Sequence, residues 1–91
     1  MRMLLWMPVA LNDLEYWRKK DSRKLKRIVE LCVDTCKHPQ EGKGKPEPLK
    51  FNLTGCWSRR INKEHRLVYR FDDDTVHIIQ ARYHYEPGRL G

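Results

Sequence analysis

The residue types that can break a phosphodiester are concentrated in the second half of the chain. GKGKPEPLKFNLTGCWSRR (residues 42–60) is followed by HRLVY (65–69) and then ARYHY (81–85). Together they supply a carboxylate at Glu47, fixed positive charge at Lys50, Arg59, Arg60, Arg66 and Arg82, an imidazole at His84 and a phenol at Tyr85. A base, a proton donor and cations for a crowded phosphate are what cleavage without a metal needs. An attacking hydroxyl requires a group to take its proton, and a carboxylate does this when desolvation or a neighbour raises its pKa. The leaving oxygen requires a proton, which an imidazolium supplies near neutral pH. The phosphorane between them carries extra negative charge that arginines hold bidentately. One donor aimed at such charge is worth about 3 kcal/mol.

These residues need a scaffold, and the hydrophobic pattern predicts one. Met3 to Trp6 is a short apolar run that reads as a first strand. Pro8 suits the first turn of a helix, and Leu11, Leu14 and Trp17 then recur at helical spacing. Arg18, Lys19 and Lys20 close that helix with cations that complement its dipole. Asp21 or Ser22 can cap a second helix, whose apolar stripe reads Leu25, Ile28, Val29, Cys32 and Cys36. Pro39 ends it. Residues 39 to 55 hold three prolines, three glycines and three lysines, which reads as a long ordered or semi-ordered loop, of a length that is usually functional or disordered. Pro46 and Pro48 flank Glu47 and stiffen the backbone that presents it. Beyond Gly55 the period changes to two. Trp57–Ile61, His65–Phe71 and Thr75–Tyr83 read as strands joined by turns at Asn62-Lys63-Glu64 and Asp72-Asp73-Asp74. The expected fold is α+β: one twisted antiparallel sheet with two N-terminal helices packed on one face.

Composition bounds the function. Ninety-one residues make one domain with a thin core. The net charge is +7, made of +4 over residues 1–40 (nine basic, five acidic) and +3 over residues 41–91 (ten basic, seven acidic). A spread excess of this kind suits a folded domain that meets a polyanion. The three cysteines, Cys32, Cys36 and Cys56, fit no disulfide framework. MLLWMPVAL runs directly into an amphipathic stretch without a cleavage-like site, and no apolar run approaches the roughly 20 residues of a membrane span. The reading is a reducing, cytoplasmic protein with no membrane association. Cys32, Cys36 and His38 mimic a metal set, but both thiols lie on the apolar stripe and no second ligand pair exists, so neither metal nor cofactor is expected. The three aspartates 72–74 read as a solvated turn. His65 and His77 are explained by strand alternation, and His38 by a helix C-terminus.

GKGKPEPLK, N-L-T-G, W-S-R-R-I, E-H-R-L-V-Y and R-Y-H-Y, in this order, resemble the YoeB/Txe toxins of the RelE superfamily over nearly the whole chain. The resemblance implies a RelE-like, microbial-ribonuclease-type fold. It implies a ribosome-dependent endoribonuclease (an mRNA interferase) that cuts mRNA in the A site, leaves a 2′,3′-cyclic phosphate and inhibits translation as the toxin of a type II toxin–antitoxin system. It implies as partners an acidic YefM-type antitoxin that folds on binding, the ribosome with its mRNA, operator DNA reached only through the antitoxin, and a second copy of the chain in a homodimer. Residue by residue it makes Glu47 the general base, Lys50 a phosphate or ribosomal RNA contact, Arg60 a phosphate ligand, Arg66 the transition-state cation, His84 the general acid and Tyr85 a substrate-positioning residue. Lys43 and Lys45 of the glycine-lysine run join the RNA-binding set. Arg59 and Arg60, being adjacent on a strand, point to opposite faces, so only one shares the site with Arg66. Arg60 is favoured there, and Arg59 is left as an antitoxin or RNA contact. Chains of this family end near the final tyrosine, so residues 1–85 read as the toxin domain and 86–91 as a short C-terminal extension. Cys56 stands where an aromatic residue is usual.

Two other functions share this sequence pattern. One is a basic domain that binds RNA or the ribosome and blocks translation without cutting. The other is an antitoxin-bound co-repressor. Substituting Glu47 or His84 separates them from the nuclease, because only cleavage needs those two groups.

Overall fold

The computed structural model describes residues 1–84. In chain order it contains β1 (Met3–Trp6), α1 (Pro8–Lys20), α2 (Ser22–Lys37), β2 (Glu47–Pro48), a 3₁₀ turn (Phe51–Leu53), β3 (Trp57–Arg60), β4 (Arg66–Phe71) and β5 (Thr75–Gln80). The five strands form one sheet in the order β1-β5-β4-β3-β2. Pairing from β2 to β5 is antiparallel, as hairpin-length connections require. The exception is β1, which lies parallel to β5 at the far edge. Its connection runs through the two helices, and a crossover of that length leaves strand direction free.

Each helix starts where its sequence signals it. Pro8 occupies the first turn of α1. Asp21 caps α2, its side chain accepting from the Arg23 amide at 3.0 Å. The buried face of α2 is Ile28, Leu31, Cys32, Thr35 and Cys36. This differs from the predicted stripe at Val29, which is half exposed, and at Leu31 and Thr35, which are fully buried. Steps of three and one from Ile28 keep a single face only if Leu31 and Thr35 belong to it. Thr35 tolerates burial because its hydroxyl donates to the Leu31 carbonyl at 2.6 Å.

The main core lies between the helices and one face of the sheet. Ile28, Leu31, Leu67, Val76 and Ile78 are fully buried there, each stabilising the fold by about 2 kcal/mol. Two cysteines pack among them. Burial pushes the Cys32 thiol up to about 12, with Cys36 adding to the effect and Arg59 opposing it, so Cys32 is a core side chain and not a nucleophile. The other sheet face carries a second, smaller cluster of Leu49, Leu53 and Val68, flanked by Cys56 and Ile79. This patch covers the centre of β4, so Leu67, Val68 and Tyr69 are buried in succession.

The loop between α2 and β3 is anchored, which its composition did not reveal. Arg59 is fully buried and points into this loop. Its Nη1 donates to Asp34 Oδ2 at 2.6 Å and to the Lys43 carbonyl at 3.0 Å. Its Nη2 donates to the carbonyls of His38 and Glu41, and its Nε to the Tyr69 hydroxyl at 3.2 Å. Tyr69 in turn donates to the Pro39 carbonyl at 2.6 Å. One guanidinium therefore satisfies the carbonyls of a turn that cannot satisfy itself. Gly42 is required here: its φ is +108°, and a Cβ would stand 2.2 Å from Asp34 Oδ2. The expectation that Arg59 contacts RNA or an antitoxin is corrected by this burial, because no part of its side chain reaches the surface.

Candidate active site

The sheet face opposite the helices is where the chemistry-bearing residues meet. Register places Glu47, Ser58, Val68 and Gln80 in one cross-strand row over β2, β3, β4 and β5. Arg60 and Arg66 face each other in the next row. Side chains two apart on a strand share a face, so the acid and both arginines lie on the same side. From β4, Arg66 crosses β3 and places Nη1 3.0 Å from Glu47 Oε1. The residue of β3 in the Glu47 row is serine, whose small side chain suits this crossing. The Arg66 side chain is only 14% exposed, whereas that of Glu47 is 54% exposed. The cation is thus embedded and oriented, and the carboxylate stands at the solvent edge. With one partner so exposed the pair contributes at most about 1 kcal/mol to stability, so its stability value is small.

Buried polar atoms underlie this pair. Among the described residues, Arg66 Nε, Ser58 Oγ and Gln80 Oε1 are buried without a hydrogen-bond partner. Such atoms are costly unless something else satisfies them. They lie on or beside the row that carries Glu47.

The segment after β5 is fixed by a clamp built from other elements. The strand ends at Gln80, three residues earlier than predicted, and Tyr83 takes a positive φ of 65°. Ala81 N donates to Asp13 Oδ2 at 2.9 Å, and Trp17 Nε1 donates to the Ala81 carbonyl at 2.7 Å. Gln80 Nε2 donates to the carbonyls of Arg82 at 2.8 Å and His84 at 3.0 Å. Tyr83 N donates to His65 Nδ1 at 2.7 Å, and Arg66 N donates to the Tyr83 carbonyl at 2.9 Å. The Arg82 guanidinium lies over the Tyr16 ring, 3.4 Å from its centroid. Accepting a hydrogen bond at Nδ1 makes His65 the neutral Nε2–H tautomer. Its pKa is lowered, first by burial and then by the charges of Arg82, Lys24 and His84, with Glu64 opposing.

The predicted site residues therefore divide. Glu47, Arg60 and Arg66 share one face, with Glu47 and Arg66 in contact. His84 is exposed, and its backbone is held by Gln80; its imidazole makes no hydrogen bond to Glu47 or Arg66. Lys43, Lys45 and Lys50 are exposed on the loop. Arg59 is structural, and Tyr85 lies outside the described residues. Sequence reasoning passed over Gln80 and Asp13, and it read His65 as structural from strand alternation without placing it against residues 81–84. A signal was present for the first two: Gln80 is a polar residue in an apolar alternation, and Asp13 lies between Leu11 and Leu14 on a core-facing helix. Among the described residues no three His, Cys, Asp or Glu side chains are grouped to hold a metal ion. Asp72 instead caps its own turn, accepting from the amides of Asp74 and Thr75 at 2.8 Å.

Two helices on one face of a mixed sheet, with a paired acid and arginine on the other, define a small α+β protein of the RelE-like type. A family model described as a YoeB-like toxin of bacterial type II toxin–antitoxin systems matches residues 6–85. The chain is 55% identical over 82 residues to Toxin YoeB of Escherichia coli K12, covering 90% of this chain and 98% of that one. It superposes on a YoeB dimer from Staphylococcus aureus with a TM-score of 0.86 at 45% identity, covering 92% of this chain and 98% of that one. For a YoeB–YefM complex from the same organism the TM-score is 0.84 at 43% identity, covering 93% and 99%. The chain belongs to the YoeB-like toxin family. No helix among the described residues is long and apolar enough to cross a membrane.

Proposed function

We propose that this toxin is a ribosome-dependent endoribonuclease that cuts mRNA in the A site without a metal. The observation that carries this reading is the contact between exposed Glu47 and embedded Arg66 on a cationic face. Glu47 takes the proton of the ribose 2′-OH. Arg66, with Arg60 beside it, holds the charge that develops on the phosphorane. An incoming phosphate competes with Glu47 for Arg66, which frees the carboxylate to act as base as the arginine turns to the phosphate. His84 protonates the leaving 5′-oxygen, and Tyr85 positions the nucleotide. The products are a 2′,3′-cyclic phosphate and a 5′-hydroxyl. Lys43, Lys45 and Lys50 contact RNA from the loop.

The site belongs to a domain over residues 1–85 that works in the cytoplasm, where its substrate is. Its inhibitor is an acidic YefM-type antitoxin that folds on binding over the cationic face and links the toxin to operator DNA. The free toxin is a homodimer. The net charge of +7 supports an acidic partner, and the solved YoeB–YefM complex and YoeB dimer support the two assemblies.

The test is cleavage of a defined mRNA by purified toxin with and without programmed ribosomes, with the new ends mapped. Ribosome-dependent cuts inside the A-site codon with cyclic-phosphate ends are expected. Stalled translation with intact mRNA would replace this reading with a non-cleaving ribosome blocker.

A further inference from the structure

Beside the Glu47–Arg66 contact lies a cavity of about 360 Å³, lined by Arg27, Arg60, Ile61, Asn62, Lys63 and Arg66. Four of the six lining residues are cationic and none is acidic. They come from different elements: Arg27 from α2, Arg60 from the end of β3, Lys63 from the connecting turn and Arg66 from the start of β4. Arg60 and Arg66 are direct cross-strand partners, and like charges placed opposite one another destabilise a sheet. Counter-charge is present for only one of the four. Arg66 has Glu47, but Arg27, Arg60 and Lys63 have no carboxylate within 4.0 Å among the described residues. Among the described residues Arg27 makes one long hydrogen bond, to the Arg60 carbonyl at 3.4 Å, which leaves most of its donors for other partners. Arg66 Nε is buried beside the cavity without a partner. Convergent, uncompensated cations with unused donors are relieved by an anion, and guanidinium donors match tetrahedral phosphate oxygens.

We propose that Arg27 and Lys63 complete a second phosphate seat, which holds an RNA phosphodiester neighbouring the one that reacts at Glu47 and Arg66. The seat rests on the reading of the adjacent site as an RNA site. It adds two residues from outside the sequence-predicted set, one of them on a helix. Holding a second phosphate fixes the register of the strand, so the correct 2′-OH meets Glu47.

The experiment compares wild-type toxin with the Arg27→Ala/Lys63→Ala double variant, both substitutions at surface positions and both proteins first shown to unfold at the same urea midpoint. The probe is an all-deoxy oligonucleotide, which lacks the attacking 2′-OH, titrated by fluorescence anisotropy over a range of salt. The double variant should bind about tenfold more weakly, with the slope of log K against log salt shallower by about 0.7 for each phosphate that is no longer neutralised. In mRNA cleavage on programmed ribosomes, the loss should fall on KM and not on kcat. A defect seen only with empty ribosomes would assign Arg27 and Lys63 to ribosomal RNA and overturn the seat beside the reacting phosphodiester. Unchanged affinity and slope for both oligonucleotide and ribosomes would overturn it, as would a defect confined to an acidic peptide. Oligonucleotide binding that depends on Arg27 in a toxin that never cuts mRNA would keep the seat and remove the nuclease reading.

Discussion

Arg59 and Asp34 form an ion pair 2.6 Å long beneath the glycine-lysine loop, with the arginine fully enclosed and the carboxylate only 19% exposed. The same carboxylate oxygen accepts the Lys43 amide at 2.9 Å. Burial alone would raise the Asp34 carboxyl; the Lys43 amide and the Arg59 guanidinium more than offset this and leave it lowered. Removing one partner of such a pair leaves an enclosed charge without compensation. Arg59→Ala should therefore lower stability by about 3 kcal/mol or more, and Asp34→Ala by a similar amount. Arg59→Lys should also destabilise, because an ammonium cannot reach three carbonyls, a carboxylate and a phenol at once. Urea denaturation checks this; an Arg59→Ala protein as stable as wild type would refute the anchoring role.

Glycine substitutions separate crowding from backbone strain. Gly55 has φ +98° and open space around a Cβ, so Gly55→Ala carries only the conformational cost, about 1 kcal/mol. At Gly42 a similar φ coincides with the Asp34 carboxylate, so Gly42→Ala should cost clearly more and loosen Arg59 as well. Paired thermal melts rank the two. Equal losses would show that the loop moves aside freely.

Glu47 and Arg66 should matter for rate and hardly for folding. On the proposed function, Glu47→Gln keeps the shape and removes the proposed base, so cleavage on ribosomes should fall by about 10² to 10⁴. The unfolding midpoint should shift by less than about 1 kcal/mol equivalent, since one partner is half exposed. Arg66→Lys should lose the capacity to hold a phosphate bidentately and also slow cleavage. Full activity in Glu47→Gln would exclude this carboxylate as the base.

The clamp makes His65 sensitive to acid. Its folded pKa lies below the ordinary imidazole value of about 6.5. The unfolded chain therefore takes up the proton first as pH falls. The stability contributed by neutral His65 is complete above about pH 6.5 and declines as pH falls toward its folded pKa. Protonation at Nδ1 also removes the acceptor of the Tyr83 amide, so hydrogen exchange at Tyr83 should quicken over the same range. Imidazole NMR titration measures this directly; a His65 that titrates above 6.5 would contradict the assigned tautomer and bond.

The sequence by itself determined the two helices, the three C-terminal strands, the two turns and the family motif. Each of these rests on local periodicity, on capping residues such as Asp21, or on contiguous residue types. Adjacency also separated Arg59 from Arg60, because neighbouring strand residues must face opposite ways. Which of them lay inside was decided by tertiary structure, since Asp34 lies 25 residues away and only packing of α2 against β3 brings it to Arg59. The same holds for the parallel placement of β1, for Arg66 reaching Glu47 across β3, and for Asp13, Trp17, His65 and Gln80 converging on residues 81–84. These contacts join elements far apart in the chain, and pattern along one segment carries no information about what another segment places against it.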